Sequence, residues 1–512
     1  MPDVLIVGAG AAGCVLAARL SEDPTRSVLL LEAGPDYPDL ELLPRPLAQV
    51  ADMSAVLPGH PYTWDTYGRA NSWQPDPIFV PRGRVVGGST SINGPIFRRG
   101  LPEDYDGWAA LGNNGWSYAD VLPVFKRLEC DLDFGDDAYH GAAGPMNVWR
   151  PNPDNLEPYQ RAFVQACRDA GLPWDPDLNA PDTTGVGVLP VNSTDGIRSS
   201  TARRYLASAR ERSNLEVWGE TYVERLVFDG GRAVGVELVR GGERQSTEAG
   251  EIVVSAGAIG SPQLLLLSGL GPAGDLEALG LSVVRDLPGV GRRLSDHPLV
   301  RIVLRSAVRL DVSPVAPRLA LRYTTPASSI RNDMRAQLYP VSMPLVEDEA
   351  PVDVILLNCL LEGVVGHGRL TLAAADPYAQ PLLEYELLAD ASDRGRMVAG
   401  LRFVLELVQR GPLAAYVADL VDPPAEVIES DERLDEWLRL HVRTGYHVVG
   451  TCKMGPVGDP EAVVDPQLRV HGIDRLRVVD ASVMPTNIRA NPNATTIMIA
   501  ERAADWIGER CG

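Results

Sequence analysis

Cysteine is scarce in this 512-residue chain, and its six copies (Cys14, Cys130, Cys167, Cys359, Cys452 and Cys511) are scattered without C-x-x-C or Cys/His spacing. That pattern excludes a disulfide framework and the usual zinc sites, so the thiols read as reduced and no metal centre is expected. Positive charge is also short: 47 Lys and Arg stand against 68 Asp and Glu, a net charge of −21. Nucleic acid and anionic membrane surfaces need a basic footprint, so neither is an expected partner. No apolar run approaches the roughly 20 residues that span a bilayer; Leu264–Leu267 is cut off by Ser268-Gly269. The first recognisable motif begins at Val4, leaving no room for a signal peptide ahead of it, and the expectation is a cytoplasmic protein.

Glycine, by contrast, is plentiful. Val4-Leu5-Ile6-Val7-Gly8-Ala9-Gly10-Ala11-Ala12-Gly13, followed by Leu29-Leu30-Leu31-Glu32, sets strand, glycine turn, helix, strand and acid in the order a dinucleotide needs. Gly8 permits the tight turn, Gly10 lets the backbone reach a pyrophosphate, and Gly13 lets the helix pack closely on the strand. The helix N-terminus then faces the phosphates, and Glu32 reaches an adenosine ribose.

The rest of the chain divides by composition. A loop-rich stretch from Pro35 to Pro81 is too long for a simple connection and is expected to wrap a cofactor or build an entrance. The basic, glycine-rich segment Pro81-Arg82-Gly83-Arg84-Val85-Val86-Gly87-Gly88-Ser89-Thr90-Ser91-Ile92-Asn93-Gly94 follows, where small residues let backbone amides approach an anion or a planar ring. Helical spacing of Tyr118, Val121, Leu122, Phe125 and Leu128 predicts a core helix with Ser117 as its N-cap. Strand-like segments at Leu215–Trp218 and Ala233–Leu238 lead to a buried strand, Glu251–Val254, entering a glycine turn; Ser261-Pro262 is read as opening the helix Gln263 to Ser268. Residues 299–440 lack glycine motifs, carry strand pieces at Val354–Leu357 and Arg369–Leu372 and a helix from Arg394 to Gln409, and are assigned to a second domain. A strand at Arg475–Asp480 and a helix from Ala494 to Gly508 close the chain.

Four of these segments together carry a family resemblance: the N-terminal glycine motif; Gly83-Arg84 through Asn93 to Gly100; Gly257-Ala258-Ile259-Gly260-Ser261-Pro262 through Ser268–Gly271; and Tyr446-His447 with Val479-Asp480-Ala481-Ser482 and Asn491-Pro492-Asn493. Leu287-Pro288-Gly289-Val290-Gly291-Arg292 and Asp296-His297-Pro298 agree with it. From Val4 to about Ile507 the chain resembles the glucose–methanol–choline (GMC) oxidoreductases, flavoenzymes that oxidise alcohols. Its motif layout, including Asp131–Asp137 with His140-Gly141, is similar to that of short bacterial aryl-alcohol and hydroxymethylfurfural oxidases. The resemblance implies FAD rather than NAD, and an α/β fold with a Rossmann-like FAD-binding domain (1–155, 198–298 and 441–512). A substrate domain with a largely antiparallel sheet takes 156–197 and 299–440. The FAD contacts it implies are Gly8, Gly10, Ala11, Ala12, Gly13, Glu32, Ala33, Arg84, Gly87, Gly88, Ser89, Asn93, Gly94, Val223, Ala256, Asp480, Ala481 and Asn493. Members that bind FAD covalently carry a histidine just before the asparagine of the Gly-Gly-x-x-x-His-Asn pattern. Here Ile92 stands there, so FAD is expected to be held non-covalently.

By the same resemblance, His447 faces the flavin and Asn491 occupies the second catalytic position. Alcohol oxidation needs loss of a hydroxyl proton and of a hydride, and a histidine titrating near neutral pH suits the proton step. Asn491 orients the substrate oxygen, and Asn491-Pro492 is also an ordinary helix start with Asn as N-cap. His60, His140, His367, His441 and His471 are read as having no partners at useful spacing, His297 as structural, and Trp64, Trp73 and Trp108 as core. The expected reaction is oxidation of a small-molecule alcohol to an aldehyde or ketone, with oxygen slightly favoured over a quinone or other carrier as acceptor. A hydroxynitrile lyase on the same fold is the rival reading. A light-driven decarboxylase is a weaker one, because His447 stands where the photoenzyme departs from the usual histidine.

Overall fold

The computed structural model describes residues 1–312, 317–326, 328–345, 350–409 and 411–509; Cys511 lies outside them. Five strands form one parallel sheet in the order Leu215–Trp218, Val28–Leu31, Val4–Val7, Glu251–Val254, Leu476–Val478. The three central strands are almost wholly apolar, as an all-parallel sheet covered on both faces requires; helix Ala11–Leu20 packs on Val4–Val7 and Val28–Leu31, and an antiparallel meander packs on Val28–Leu31 and Glu251–Val254. Helix Ala11–Leu20 starts right after Gly10. It packs against the C-terminal helix Asn493–Glu509, to which Arg19 is tied through Glu501 at 3.0 Å. A three-stranded antiparallel meander, Thr221–Asp229, Arg232–Arg240 and Glu243–Glu248, connects strand Leu215–Trp218 to strand Glu251–Val254.

The helix expected at Gln263–Ser268 begins earlier, at Gly257, and runs to Leu267 with Pro262 inside it. Proline cannot donate to the carbonyl four residues back. The Thr451 hydroxyl donates to that carbonyl, Ala258 O, at 2.7 Å, which is how the helix passes through Pro262. Likewise the helix expected from Arg394 opens at Ala391, its first amides taken by the Asp390 carboxylate. Helix Tyr118–Leu128 with its Ser117 cap forms where the spacing places it.

A second sheet is antiparallel throughout, in the order Val417–Asp422, Pro298–Ser306, Val352–Leu361, Met334–Met343, Leu319–Tyr323, Gly185–Val188. Its face carrying Tyr323 and Met334 packs on helix Ala391–Gln409: Tyr323 Oη donates to Gly400 O at 2.9 Å, and a Cβ on Gly400 would meet Met334 Cε at 2.6 Å. Side chains alternate along a strand, so Arg322 and Arg335 point to the opposite face. The short strand Arg443–Thr444 pairs with Pro298–Ser306, so the chain leaves this sheet a little after residue 441, the point at which the expected FAD unit resumes.

The histidines are not partnerless. Fully buried His140 sits between Glu129 (Nδ1 to Oε1, 2.9 Å), Asp131 (3.0 Å) and Asp177 (Nε2 to Oδ2, 2.8 Å). Burial disfavours its charge, but hydrogen bonds to the three carboxylates push it up to about 10. Glu129, Asp131 and His140 lie close enough to hold a metal, yet Arg99 pairs with Glu129 and Arg150 with both Asp131 oxygens, so those atoms serve a charge knot instead. His441 stacks on Trp437 and His471 bonds Gly455 O at 3.1 Å. Trp108 is core, whereas Trp73 is exposed beneath Arg439 and half-buried Trp64 lies under Arg84. Among the described residues no helix is long and apolar enough to cross a membrane.

Candidate active site

The expected cofactor residues converge at the carboxyl ends of the parallel strands. Gly8 adopts φ +97°, and a Cβ there would lie 2.6 Å from Ser255 O; a Cβ on Gly13 would meet Gly8 O at 1.9 Å, so both positions admit only glycine. Gly87 donates to Ala9 O at 2.7 Å, and a Cβ on Gly88 would fall 2.6 Å from Gly10 Cα. The two glycine segments therefore interlock backbone to backbone, with Ser89 Oγ accepting from Gly83 N at 3.2 Å. In front of Gly10 and Gly94 a Cβ would meet nothing within 4 Å.

Buried Glu32 accepts from Ala9 N at 3.0 Å and Gly34 N at 2.9 Å, tying the glycine turn to the turn after strand Val28–Leu31. Burial pushes its carboxyl up to about 7. Arg84 covers Trp64, while Ala33 follows Glu32 and half-buried Val223 lies just beyond Thr221, which donates to Glu32 O at 2.8 Å. Asp480 accepts from Gly257 N (2.9 Å), Ser261 Oγ (2.5 Å) and Ser482 N (2.8 Å), so its carboxylate clamps the turns after two strands, beside Ala256 and Ala481. At the start of the last helix both polar atoms of Asn493 are shielded and unpartnered, as is Asn93 Oδ1. A glycine turn at a helix N-terminus, an acid on the next strand and orphaned amides at the far end fit FAD.

His447 is buried, and its partners fix its protonation. Asn491 Nδ2 lies 2.9 Å from His447 Nε2, and Asn491 Oδ1 accepts from Arg335 Nη1 at 3.0 Å. Arginine only donates, so the amide must turn its NH2 to the histidine, and Nε2 must be the lone-pair nitrogen. The ring proton then sits on Nδ1, 2.8 Å from Nδ1 of His297, which accepts it. His297 keeps its own proton on Nε2, a buried atom without a partner. Burial and then the adjacent His297 push His447 well below its ordinary 6.5, and burial lowers His297 to about 4. His447 is therefore held neutral, rather than titrating near neutrality as its sequence context suggested.

Two sequence expectations change here. His297 belongs to the site rather than to the scaffold alone. Asn491 does not cap the last helix, which opens at Asn493 after the Pro492 carbonyl accepts from Thr496 N at 2.8 Å; its side chain is committed to His447 and Arg335. Arg335 is in turn held by Glu362 at 3.0 Å, which Arg98 grips at 2.9 Å. Against burial, these two guanidinium groups keep the Glu362 carboxyl well below the usual range.

Asp296 orders the two histidines. Its Oδ1 accepts from His297 N at 2.7 Å and His447 N at 2.8 Å, and its Oδ2 takes the Thr444 hydroxyl. Asp296→Ala orphans two buried amides at about 1–3 kcal/mol each. The Ala variant should melt lower and reduce its flavin at least about tenfold more slowly than wild type, whereas Asp296→Asn keeps Oδ1 and stays closer to wild type. Thermal melts with stopped-flow absorbance check this; an Ala variant at the wild-type rate would show that the histidines hold their places without Asp296.

The site geometry agrees with what the chain is similar to. The GMC oxidoreductase N-terminal and C-terminal family models match residues 2–299 and 365–500. The chain is 37% identical to a 5-(hydroxymethyl)furfural oxidase of Methylovorus sp. (strain MP688), covering 99% of this chain and 98% of that protein. It is also 37% identical to the mitochondrial choline dehydrogenase of Homo sapiens, covering 98% and 89%. Among solved structures, pyridoxine 4-oxidase from Mesorbium loti superposes with a TM-score of 0.91 at 30% identity over 99% of both chains. The chain belongs to the GMC oxidoreductase family and is an FAD-dependent oxidoreductase acting on CH–OH groups.

Proposed function

We propose that this enzyme oxidises an alcohol to an aldehyde or ketone, with His447 Nε2 taking the hydroxyl proton and Asn491 Nδ2 orienting the oxygen. The observation that carries the reading is the neutral His447 lone pair set 2.9 Å from an amide whose orientation Arg335 fixes. A substrate oxygen that takes the place of this contact, within hydrogen-bond reach of both groups, accepts from Asn491 and donates to His447. FAD, which the Gly8–Gly13 turn and the Gly87–Gly88 segment would hold, would supply the acceptor for the hydride of the carbinol carbon. As the O–H bond breaks its proton passes to Nε2, leaving a C=O bond and a charged imidazole whose Nδ1–H remains on His297. Ile92, aliphatic and buried, supports non-covalent FAD, so acid denaturation should release the flavin.

We infer oxygen as the electron acceptor, supported by full-length similarity to an oxidase and by the positive charge that His447 gains with the alcohol proton. Reoxidation by air with peroxide formed, against reoxidation only by a quinone or dye, separates oxidase from dehydrogenase. A cytoplasmic location accords with the free cysteines among the described residues. Anaerobic mixing of the holoenzyme with primary alcohols tests the reaction: bleaching supports oxidation, and cyanohydrin cleavage without bleaching means a lyase.

The lowered His447 predicts the pH profile. A base works while unprotonated and fails as pH falls through its pKa, so a lowered pKa widens the working range downward. The rate constant for flavin reduction should stay level from neutral pH to 6.5, with its acid limb below that value. An acid limb above 6.5 would mean the base titrates as an ordinary histidine or is another group.

A further inference from the structure

The sheet face beside Asn491 carries more positive charge than its acids balance. Arg335 pairs directly across the ladder with Arg322, so both side chains lie on that face, and Arg98 approaches from the cofactor unit. Glu362 answers Arg98 and Arg335 at hydrogen-bond distance. Arg322 has no such answer: Nε, Nη1 and Nη2 are all buried and unpartnered. Three acids surround it, and all are engaged elsewhere. Glu362 is gripped by the two other arginines, Asp104 by Arg489 at 2.7 Å, and Asp175 accepts from Asp177 N at 3.1 Å and from the Thr183 hydroxyl. Among the described residues none pairs with Arg322. A shielded guanidinium with no acceptor is costly, and a planar carboxylate is the group its fork matches.

We propose that the substrate is an alcohol that also bears a carboxylate, and that Arg322 receives this carboxylate while the carbinol end meets His447 and Asn491. This rests on the alcohol-oxidation reading and narrows it. Adjacent strands lie about 4.8 Å apart, so Arg322 is one strand spacing beyond Arg335, whose guanidinium already touches Asn491. A ring-sized spacer between hydroxymethyl and carboxylate matches that offset. A quaternary ammonium alcohol such as choline would instead meet like charge from three arginines.

The experiment uses the FAD-loaded enzyme with 4-(hydroxymethyl)benzoate, benzyl alcohol and choline in anaerobic flavin reduction, and unreactive benzoate in a titration of the flavin spectrum. Wild type should favour the hydroxymethylbenzoate over benzyl alcohol by at least about tenfold in reduction rate constant divided by apparent Kd. Arg322→Met should erase that advantage and raise the benzoate Kd about tenfold, with Arg322→Lys between them. Because Arg322→Met removes an unpartnered buried charge, its melting temperature without substrate should not fall below wild type. Benzyl alcohol bleaching the flavin with no advantage for the carboxylate, an unchanged benzoate Kd, or a Met variant several degrees less stable would overturn the proposal alone. Failure of every alcohol to bleach the flavin would overturn the alcohol-oxidation reading beneath it.

Discussion

His447→Ala reduces its flavin by substrate at least about 100-fold more slowly than wild type, the low end for loss of a general base, while keeping flavin and fold. The rate falls because, among the described residues, no other neutral acceptor is hydrogen-bonded to the Asn491 amide; His297 Nδ1 is turned to the far side of the same ring. The fold survives because what Asp296 holds at this position is a backbone N–H, which alanine retains. Asn491→Ala is milder, since it removes orientation and leaves the base in place. Added imidazole should partly restore the His447→Ala rate. Stopped-flow reduction with flavin content measured on the same samples checks each point; a wild-type rate in His447→Ala would move the base elsewhere.

Glu32→Ala gives protein that purifies poor in flavin and melts lower. Its carboxylate accepts two buried amides, Ala9 N and Gly34 N, and each orphaned donor costs about 1–3 kcal/mol. Because Ala9 lies in the cofactor turn and Gly34 just after the second strand, the loss falls on FAD binding as well as on the fold. Glu32→Gln retains one oxygen and should lie between. The ratio of flavin to protein absorbance, with thermal melts, reads both effects. Full occupancy and an unchanged melting temperature in Glu32→Ala would mean that the turn does not depend on Glu32.

The glycine turn was legible from sequence because its main constraints are local: Gly8 turns at φ +97°, and Gly13 is required by Gly8 O of the same short strand–turn–helix unit. His447 was visible as a lone polar residue in a small, apolar segment. Its partners were not, because register brings them from far away in the chain. His297 lies 150 positions off and Arg335 meets Asn491 across 156. The same distance hid the Thr451 hydroxyl that lets the Gly257–Leu267 helix run through Pro262, so the proline read as a helix start. His140 looked solitary although Glu129 lies only 11 positions away, because the fold-back that brings Glu129 and Asp131 to it and the arrival of Asp177 from 37 positions off are tertiary. Asn491 misled in another way: Asn-Pro fits a helix cap by local chemistry, and only Arg335, on a strand of the antiparallel sheet, shows that its side chain is used elsewhere.

The measurement that tests the account most directly is anaerobic mixing of the FAD-loaded enzyme with an alcohol and with the same alcohol deuterated at the carbinol carbon, in wild type and His447→Ala. The account predicts that the flavin bleaches in step with aldehyde formation, several-fold more slowly with deuterium, and that His447→Ala slows both reactions at least about 100-fold. Bleaching at the wild-type rate in His447→Ala, or product formation with the flavin still oxidised, would contradict it.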